Sequence, residues 1–158
     1  MKKRNLTDIL IWVISAELVG VLSALLSGGF SDFYDRYIQP PLLPPSWLFP
    51  VVWTILYALM GYSAYLICSS EGGAKEKSAA IKAYIVQLAL NFSWSIIFFR
   101  FEALWLAFGV IIALLAAVIV MTVRFYRIVP LAGYLNIPYI IWVTFASYLN
   151  LAAALLNA

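Results

Sequence analysis

Aromatic rings and carboxamides at helical spacing are the side chains in this sequence best suited to bind a ligand. Steps of three or four residues place side chains on one helix face, and one such row comprises Gln87, Asn91, Trp94 and Phe98. Two further rows comprise Trp53, Tyr57, Met60, Gly61 and Ala64, and Trp142, Phe145, Ala146, Leu149 and Asn150. Aromatic walls with a few placed polar groups are typical of small-molecule pockets. Flat indole and phenol surfaces suit a large planar apolar ligand, which amides and hydroxyls would orient.

Other kinds of site have few candidate residues. Histidine is absent from the chain, which excludes a Ser-His-Asp triad and histidine ligation of a metal or haem. Cys68 is the single cysteine, so neither an intramolecular disulfide nor a thiolate cluster is expected. Glu17 is the one ionisable residue deep in an apolar segment. Such a residue is a functional candidate, although a protonated or hydrogen-bonded structural carboxyl is the more common case. We therefore expect no cofactor and no metal site, and acid–base catalysis has little support.

The elements that would position these rows are membrane-spanning helices. Hydrophobic residues make up 65% of the 158 residues and charged residues 11%, whereas soluble domains average about 45–50% and about 25%. About 20 apolar residues in a helix cross the hydrocarbon core of a bilayer. We predict an all-α integral membrane protein with one domain, 1–158, and a five-helix bundle. The expected helices are at about 8–29, 47–70, 80–99, 103–126 and 130–156, with a lid loop at 30–46.

The distribution of cations predicts the orientation. Eight of the ten Lys and Arg residues lie at the amino terminus and in the second and fourth connections. The positive-inside rule then places the amino terminus in the cytoplasm. With five spans, the carboxyl terminus and the first loop face the opposite side. Flanking cations account for the net charge of +3, so nucleic-acid binding is not expected.

Helix boundaries are marked by Gly, Pro and charged residues. The pair at 28–29 is a plausible stop for the first span, and Ser46 is a plausible cap for the second. The Pro pairs at 40–41 and 44–45 predict a stiff first loop. Charges at 75–77 suggest a solvated second connection, and Pro138 should bend the fifth span.

Two rows of small residues predict close helix packing. They comprise Ala16, Gly20 and Ala24 in the first span, and Gly109, Ala113 and Ala117 in the fourth. Small residues let helix backbones approach closely, either inside the bundle or across a dimer. We predict a symmetric homodimer through such faces.

These motifs resemble the TspO/MBR family, the tryptophan-rich sensory proteins that include the translocator protein or peripheral benzodiazepine receptor. The similarity begins in the first loop with Phe33-Tyr34 and with Gln-Pro-Pro-Leu-Leu-Pro-Pro at 39–45. It continues through Val52-Trp53 to Tyr62, Gln87 to Trp94, Phe98-Phe99, Pro138 to Trp142, and Phe145 to Asn150. The match covers the first loop and spans two to five, in order and at consistent spacing.

The resemblance implies a five-helix bundle, often dimeric, with a pocket beneath the first loop. Members bind porphyrins, haem-like tetrapyrroles and benzodiazepine-type ligands, and some bacterial members are reported to degrade protoporphyrin in light. Together, the rows and the resemblance predict a binding site comprising Tyr34, Leu42, Trp53, Tyr57, Asn91, Trp94, Phe98, Trp142, Phe145 and Ala146. Any photochemistry would involve Trp53 and Trp142.

Two departures from the family pattern affect the lid. Leu42 stands where the family commonly has Trp, and Gln39 where it has Lys, so the lid lacks one aromatic wall and one cation. The basic residue of the animal sterol motif is also absent after the fifth span. Three readings stay open: a porphyrin receptor or sensor, which is preferred, a light-dependent porphyrin-degrading protein, and a regulatory or structural membrane protein. In each case we expect a multi-pass protein of a bacterial cell membrane.

Overall fold

The computed structural model describes residues 5–28 and 35–158, and the regular elements in these ranges are all helical. They are α1 (Leu6–Leu26), α2 (Leu48–Ser69), α3 (Ala74–Ser95) with a π-helical continuation (Ile96–Arg100), α4 (Leu104–Ile128), α5 (Pro130–Tyr134) and α6 (Ile137–Leu156). Five segments, one of them α5 and α6 together, are long and apolar enough to cross a membrane. The predicted all-α membrane fold is thereby confirmed, whereas the orientation of the termini stays a prediction.

Helix α1 packs along α2 and also contacts α3, while α3 packs along α4 and α4 along α6. The fully buried core lies where α2, α3, α4 and α6 meet, and it includes Met60, Ile67, Leu114, Val118, Met121, Phe125 and Val143. Large apolar side chains also cover the outside of the bundle, among them Leu10, Ile14, Leu18, Ile112 and Ile119. Helices that are apolar all round suit a bundle surrounded by lipid.

Two predicted helix boundaries have different outcomes. Gly28 follows the end of α1 with φ of 83°, a left-handed conformation that glycine adopts without steric cost. Ser46, in contrast, does not cap α2. Trp47 holds the N-cap position without a side-chain hydrogen bond, and the backbone N–H of Leu48 donates to the carbonyl of Pro45 instead. The prediction at Ser46 was wrong because a backbone turn of the proline-rich loop leads directly into the helix.

Helix α3 begins at Ala74, before the expected start near 80, so the charges at 75–77 belong to a helix and not to a loop. The Lys77 ammonium donates to the carbonyls of Cys68 and Ser70 at 2.8 Å each. It thereby satisfies carbonyls at the end of α2 that have no intrahelical partner. Glu76 lies in the first turn, where a carboxylate is favoured by the helix dipole.

The fifth span is broken between α5 and α6, two residues before Pro138. Buried Asn136 occupies the break, and its carboxamide donates to the carbonyl of Ala132 at 2.8 Å and to the Ser63 hydroxyl at 2.9 Å. Pro138 then lies in the first turn of α6, where its missing N–H costs little. The fifth span is therefore interrupted before Pro138, and Asn136 fastens the interruption to α2.

The first loop, over the residues from 35 onward, is fixed to the rest of the bundle. Asn157 both accepts from the N–H of Ile38 at 2.8 Å and donates to its carbonyl at 3.1 Å. Glu102, between α3 and α4, pairs with Arg36 at 2.8 Å and accepts from the Tyr37 hydroxyl at 2.6 Å. That hydrogen bond raises the pKa of Tyr37. These contacts hold the loop over one end of the bundle.

Candidate functional site: aromatic cavities beneath the first loop

The main cavity lies between α1, α2 and α3 and has a volume of about 150 Å³. Its wall carries four aromatic side chains, two on α2 and two at the end of α3 and in its π-helical continuation, together with a carboxamide on α3. The lining residues are Glu17, Gly20, Val21, Ser23, Ala24, Pro50, Trp53, Thr54, Tyr57, Asn91, Trp94, Ser95 and Phe99. An aromatic wall interrupted by few polar groups suits a flat apolar ligand.

Trp53 stands at the centre of this wall. Its ring centroid lies 5.9 Å from that of Tyr57, 6.3 Å from that of Trp94 and 6.2 Å from that of Tyr139. The first two ring pairs are tilted and the third is edge-to-face, which are favourable aromatic geometries. Packing against rings from α3 and α6 holds the indole in one orientation.

A buried hydrogen-bond network supports the wall from behind. The Tyr139 hydroxyl donates to the Gln87 carboxamide at 2.7 Å and accepts from Asn91 at 2.9 Å. The Trp94 indole N–H donates to Asn150 at 3.0 Å, and Asn150 donates to the carbonyl of Leu104 at 2.9 Å. The polar groups that sequence analysis assigned to the pocket therefore also link α3 to α4 and α6. Of these groups, Asn91 and Trp94 line the main cavity.

A second, smaller cavity of about 30 Å³ lies directly beneath the loop, between the start of α2, the end of α3 and α6. Its lining includes Pro40, Leu43, Phe49, Phe98, Ala146, Leu149, Asn150 and Ala153. Trp94 and Phe99 line both cavities and so separate them. The π-helical turn at Ile96–Arg100 brings Phe98 and Phe99 inward, with ring centroids 4.8 Å apart. Such turns are frequent at functional sites.

The structure brings together most, but not all, of the predicted site. Trp53, Tyr57, Asn91 and Trp94 line the main cavity, and Phe98 and Ala146 line the smaller one. The other predicted residues in the described ranges line neither of the two.

Trp142 packs against Phe49 and Phe145, with centroids 5.7 and 5.8 Å away. Leu42 points outward and is 79% exposed. Leu43, and not Leu42, is the loop leucine that lines the smaller cavity. Tyr34 lies outside the described residues.

The α1 face of the cavity is not among the predicted site residues. Ser23 and Ala24 line it beside Glu17 and Gly20, and a Cβ at Gly20 would overlap the ring of Tyr57. The small-residue row was the available signal, because residues that allow close helix approach also leave room beside an aromatic ring. Among the described residues that line the cavity, Glu17 is the one carboxylate.

The fold and its aromatic cavities define a multi-pass, all-helical membrane protein. Residues 12–156 match the model of the TspO/MBR family. The chain belongs to that family.

Several named relatives are similar over most of their length. Protein CrtK of Rhodobacter capsulatus is 35% identical over 97% of this chain and 94% of its own. The tryptophan-rich protein TspO of Archaeoglobus fulgidus is 38% identical over 90% and 95%, respectively. The human translocator protein is 37% identical over 81% of this chain and 76% of its own. The family assignment therefore rests on nearly the whole bundle.

Proposed function

We propose that this protein is a membrane receptor or sensor for porphyrins and related planar aromatic molecules, including benzodiazepine-type ligands. The observation that carries the proposal is the wall of Trp53, Tyr57 and Trp94 along the main cavity. Stacking on indole and phenol rings favours flat apolar ligands. By the same binding, the protein would assist the transport or breakdown of tetrapyrroles.

A tetrapyrrole is larger than a cavity of about 150 Å³, so binding requires one wall to move. Helix α1 is the wall suited to this movement, because only Ala16 and Ser23 of its residues are buried. Its backbone lies close to Gly61 at Trp12 and Val13, so we expect the movement in the half of α1 that lines the cavity. We expect α1 to move outward while α2, joined to α6 by ring contacts, and α3, joined to α6 by hydrogen bonds, keep their positions.

The charges around the cavity suggest how a porphyrin would be oriented. Glu17 lines the cavity, and no cation is among the described lining residues. The propionates of a porphyrin would therefore point away from Glu17, towards water at the loop end, and the macrocycle would face Trp53.

Titration of the purified protein with protoporphyrin, followed by tryptophan fluorescence, tests the proposal. We expect quenching by the wild type, and a Kd raised about 3- to 10-fold by Trp53→Phe through loss of ring contact. Trp105→Phe is the matched control, because Trp105 is 54% exposed on the outside of α4. Unquenched fluorescence in the wild type would instead favour a protein whose aromatic rows only pack its helices.

Light-dependent porphyrin degradation is the second candidate function. Trp53 lines the cavity and lies beside Trp94, so a bound, excited porphyrin would meet an oxidisable indole. With dioxygen as the oxidant, the macrocycle would be consumed. Under illumination, the porphyrin absorption bands should then decay faster with the wild type than with Trp53→Phe. A decay rate equal to that of free porphyrin would remove this candidate.

A further inference from the structure

A groove runs along the outer surface between the first half of α3 and the second half of α4, with a volume of about 410 Å³. Its lining combines small or medium apolar side chains with two cations, and comprises Ala79, Lys82, Ala83, Val86, Ala116, Ala117, Val120 and Arg124. The alanines on both helices have short side chains, which leave space between the helices. The groove lies apart from both aromatic cavities and shares no lining residue with them.

The two cations lie inside the candidate membrane spans, Ala74–Arg100 and Leu104–Ile128. Lys82 is eight residues into α3, which corresponds to about 12 Å along the helix axis. In the described part of the chain, neither Lys82 nor Arg124 has an ion pair or a side-chain hydrogen bond, and no carboxylate lines the groove. A charge at this depth is costly unless it reaches the interface or meets a counter-ion.

We propose that this groove binds an anionic phospholipid, with the phosphate between Lys82 and Arg124 and an acyl chain along the alanines. The charge of the groove is complementary to a phosphate, and its apolar floor is complementary to a lipid tail. Ile85, Val123 and Ile119 are exposed on the same two helices, and such apolar surface is suited to lipid. Basic pockets between transmembrane helices are a known way to bind anionic headgroups.

Native mass spectrometry of the detergent-purified protein tests this assignment. The probes are dioleoyl phosphatidylglycerol and dioleoyl phosphatidylcholine, which share acyl chains and differ in headgroup charge. We expect the wild type to retain phosphatidylglycerol preferentially. The double variant Lys82→Gln with Arg124→Gln should lose this preference, with binding about tenfold weaker or more.

The matched control is Lys75→Gln with Arg127→Gln, which removes two cations from the same end of the bundle but outside the groove. Its phosphatidylglycerol binding should equal that of the wild type, and an equal loss in both double variants would overturn the proposal. Ala116→Phe keeps every charge and fills the groove, so it should also weaken binding. If Ala116→Phe instead dissociates an oligomer and leaves lipid binding unchanged, the groove is a contact between two copies of the chain, and the proposal fails.

Discussion

Tyr139 shows how one residue can support the site without lining it. Its ring packs edge-to-face on Trp53, and its hydroxyl joins Gln87 and Asn91. The Gln87 carboxamide also approaches the Met60 sulfur at 3.5 Å. The phenol therefore links α6, α3 and α2 behind the aromatic wall, and it is 1% exposed.

Tyr139→Phe should lower the stability of the bundle. It removes two hydrogen bonds and leaves buried carboxamide groups of Gln87 and Asn91 unpaired, which costs about 1–3 kcal/mol. Thermal unfolding in detergent should show a lower midpoint. Tyr148→Phe is the control, because its hydroxyl donates to the carbonyl of Pro41 at an exposed position. A midpoint for Tyr139→Phe equal to that of this control would contradict the supporting role.

At the scale of helices, glycines and alanines with similar spacing have different neighbours in the bundle. Gly61 on α2 lies against the backbone of α1, where a Cβ would come within 2.6 Å of the carbonyl oxygen of Trp12 and 2.7 Å of the Cα of Val13. Gly109 on α4 faces open space, with no atom within 4 Å of a Cβ placed there. The α1 row packs within the bundle, whereas Gly109 and Ala113 of the α4 row lie on the outside.

Gly61→Ala and Gly109→Ala should therefore have opposite effects on stability. Overpacking between the backbones of α1 and α2 should cost Gly61→Ala about 1–3 kcal/mol. Within a single bundle, Gly109→Ala meets no neighbour, so the monomer should gain up to about 1 kcal/mol from helix propensity. Thermal unfolding of the two variants measures the difference. Equal midpoints would show that α1 separates freely from α2 at Gly61.

At the scale of the whole molecule, the exposed α4 row is the surface that we propose for a homodimer. Close approach of helices in a membrane depends on small residues. The half of α4 nearer the first loop has two such residues on its exposed surface, Gly109 and Ala113. The proposed lipid groove occupies the other half of the same helix, around Arg124. The two proposals are therefore compatible within one bundle.

Gly109→Leu should reduce the dimer fraction, because a large side chain would hold two copies of α4 apart. Cross-linking in detergent, followed by electrophoresis, measures that fraction. Ser15→Leu is the control, since Ser15 lies on the exposed face of α1. Loss of the dimer in Ser15→Leu and not in Gly109→Leu would move the interface to α1.

The predicted orientation is also a property of the whole bundle. Leu42 is exposed in the first loop, and Lys75 is exposed in the first turn of α3, so the positive-inside rule places them on opposite sides. In a Cys68→Ser background, a membrane-impermeant maleimide should label Leu42→Cys in intact cells and Lys75→Cys only after permeabilisation. The reverse pattern would invert the orientation.

The sequence by itself determined the five apolar spans, the family and most of the aromatic wall. Hydrophobic length, charge distribution and helical spacing act locally, so they place Trp53, Tyr57, Asn91 and Trp94 on the helix faces that line the main cavity. Tertiary structure decided what those faces meet. Neither the ring contacts of Tyr139 nor the outward direction of Leu42 follows from spacing, because both depend on how distant segments pack. The same holds for Gly20 and Gly109, which are both small residues in helix rows. Gly20 lies against Tyr57 of the neighbouring helix and lines the main cavity, whereas Gly109 meets no neighbouring helix among the described residues and lies on the outer surface.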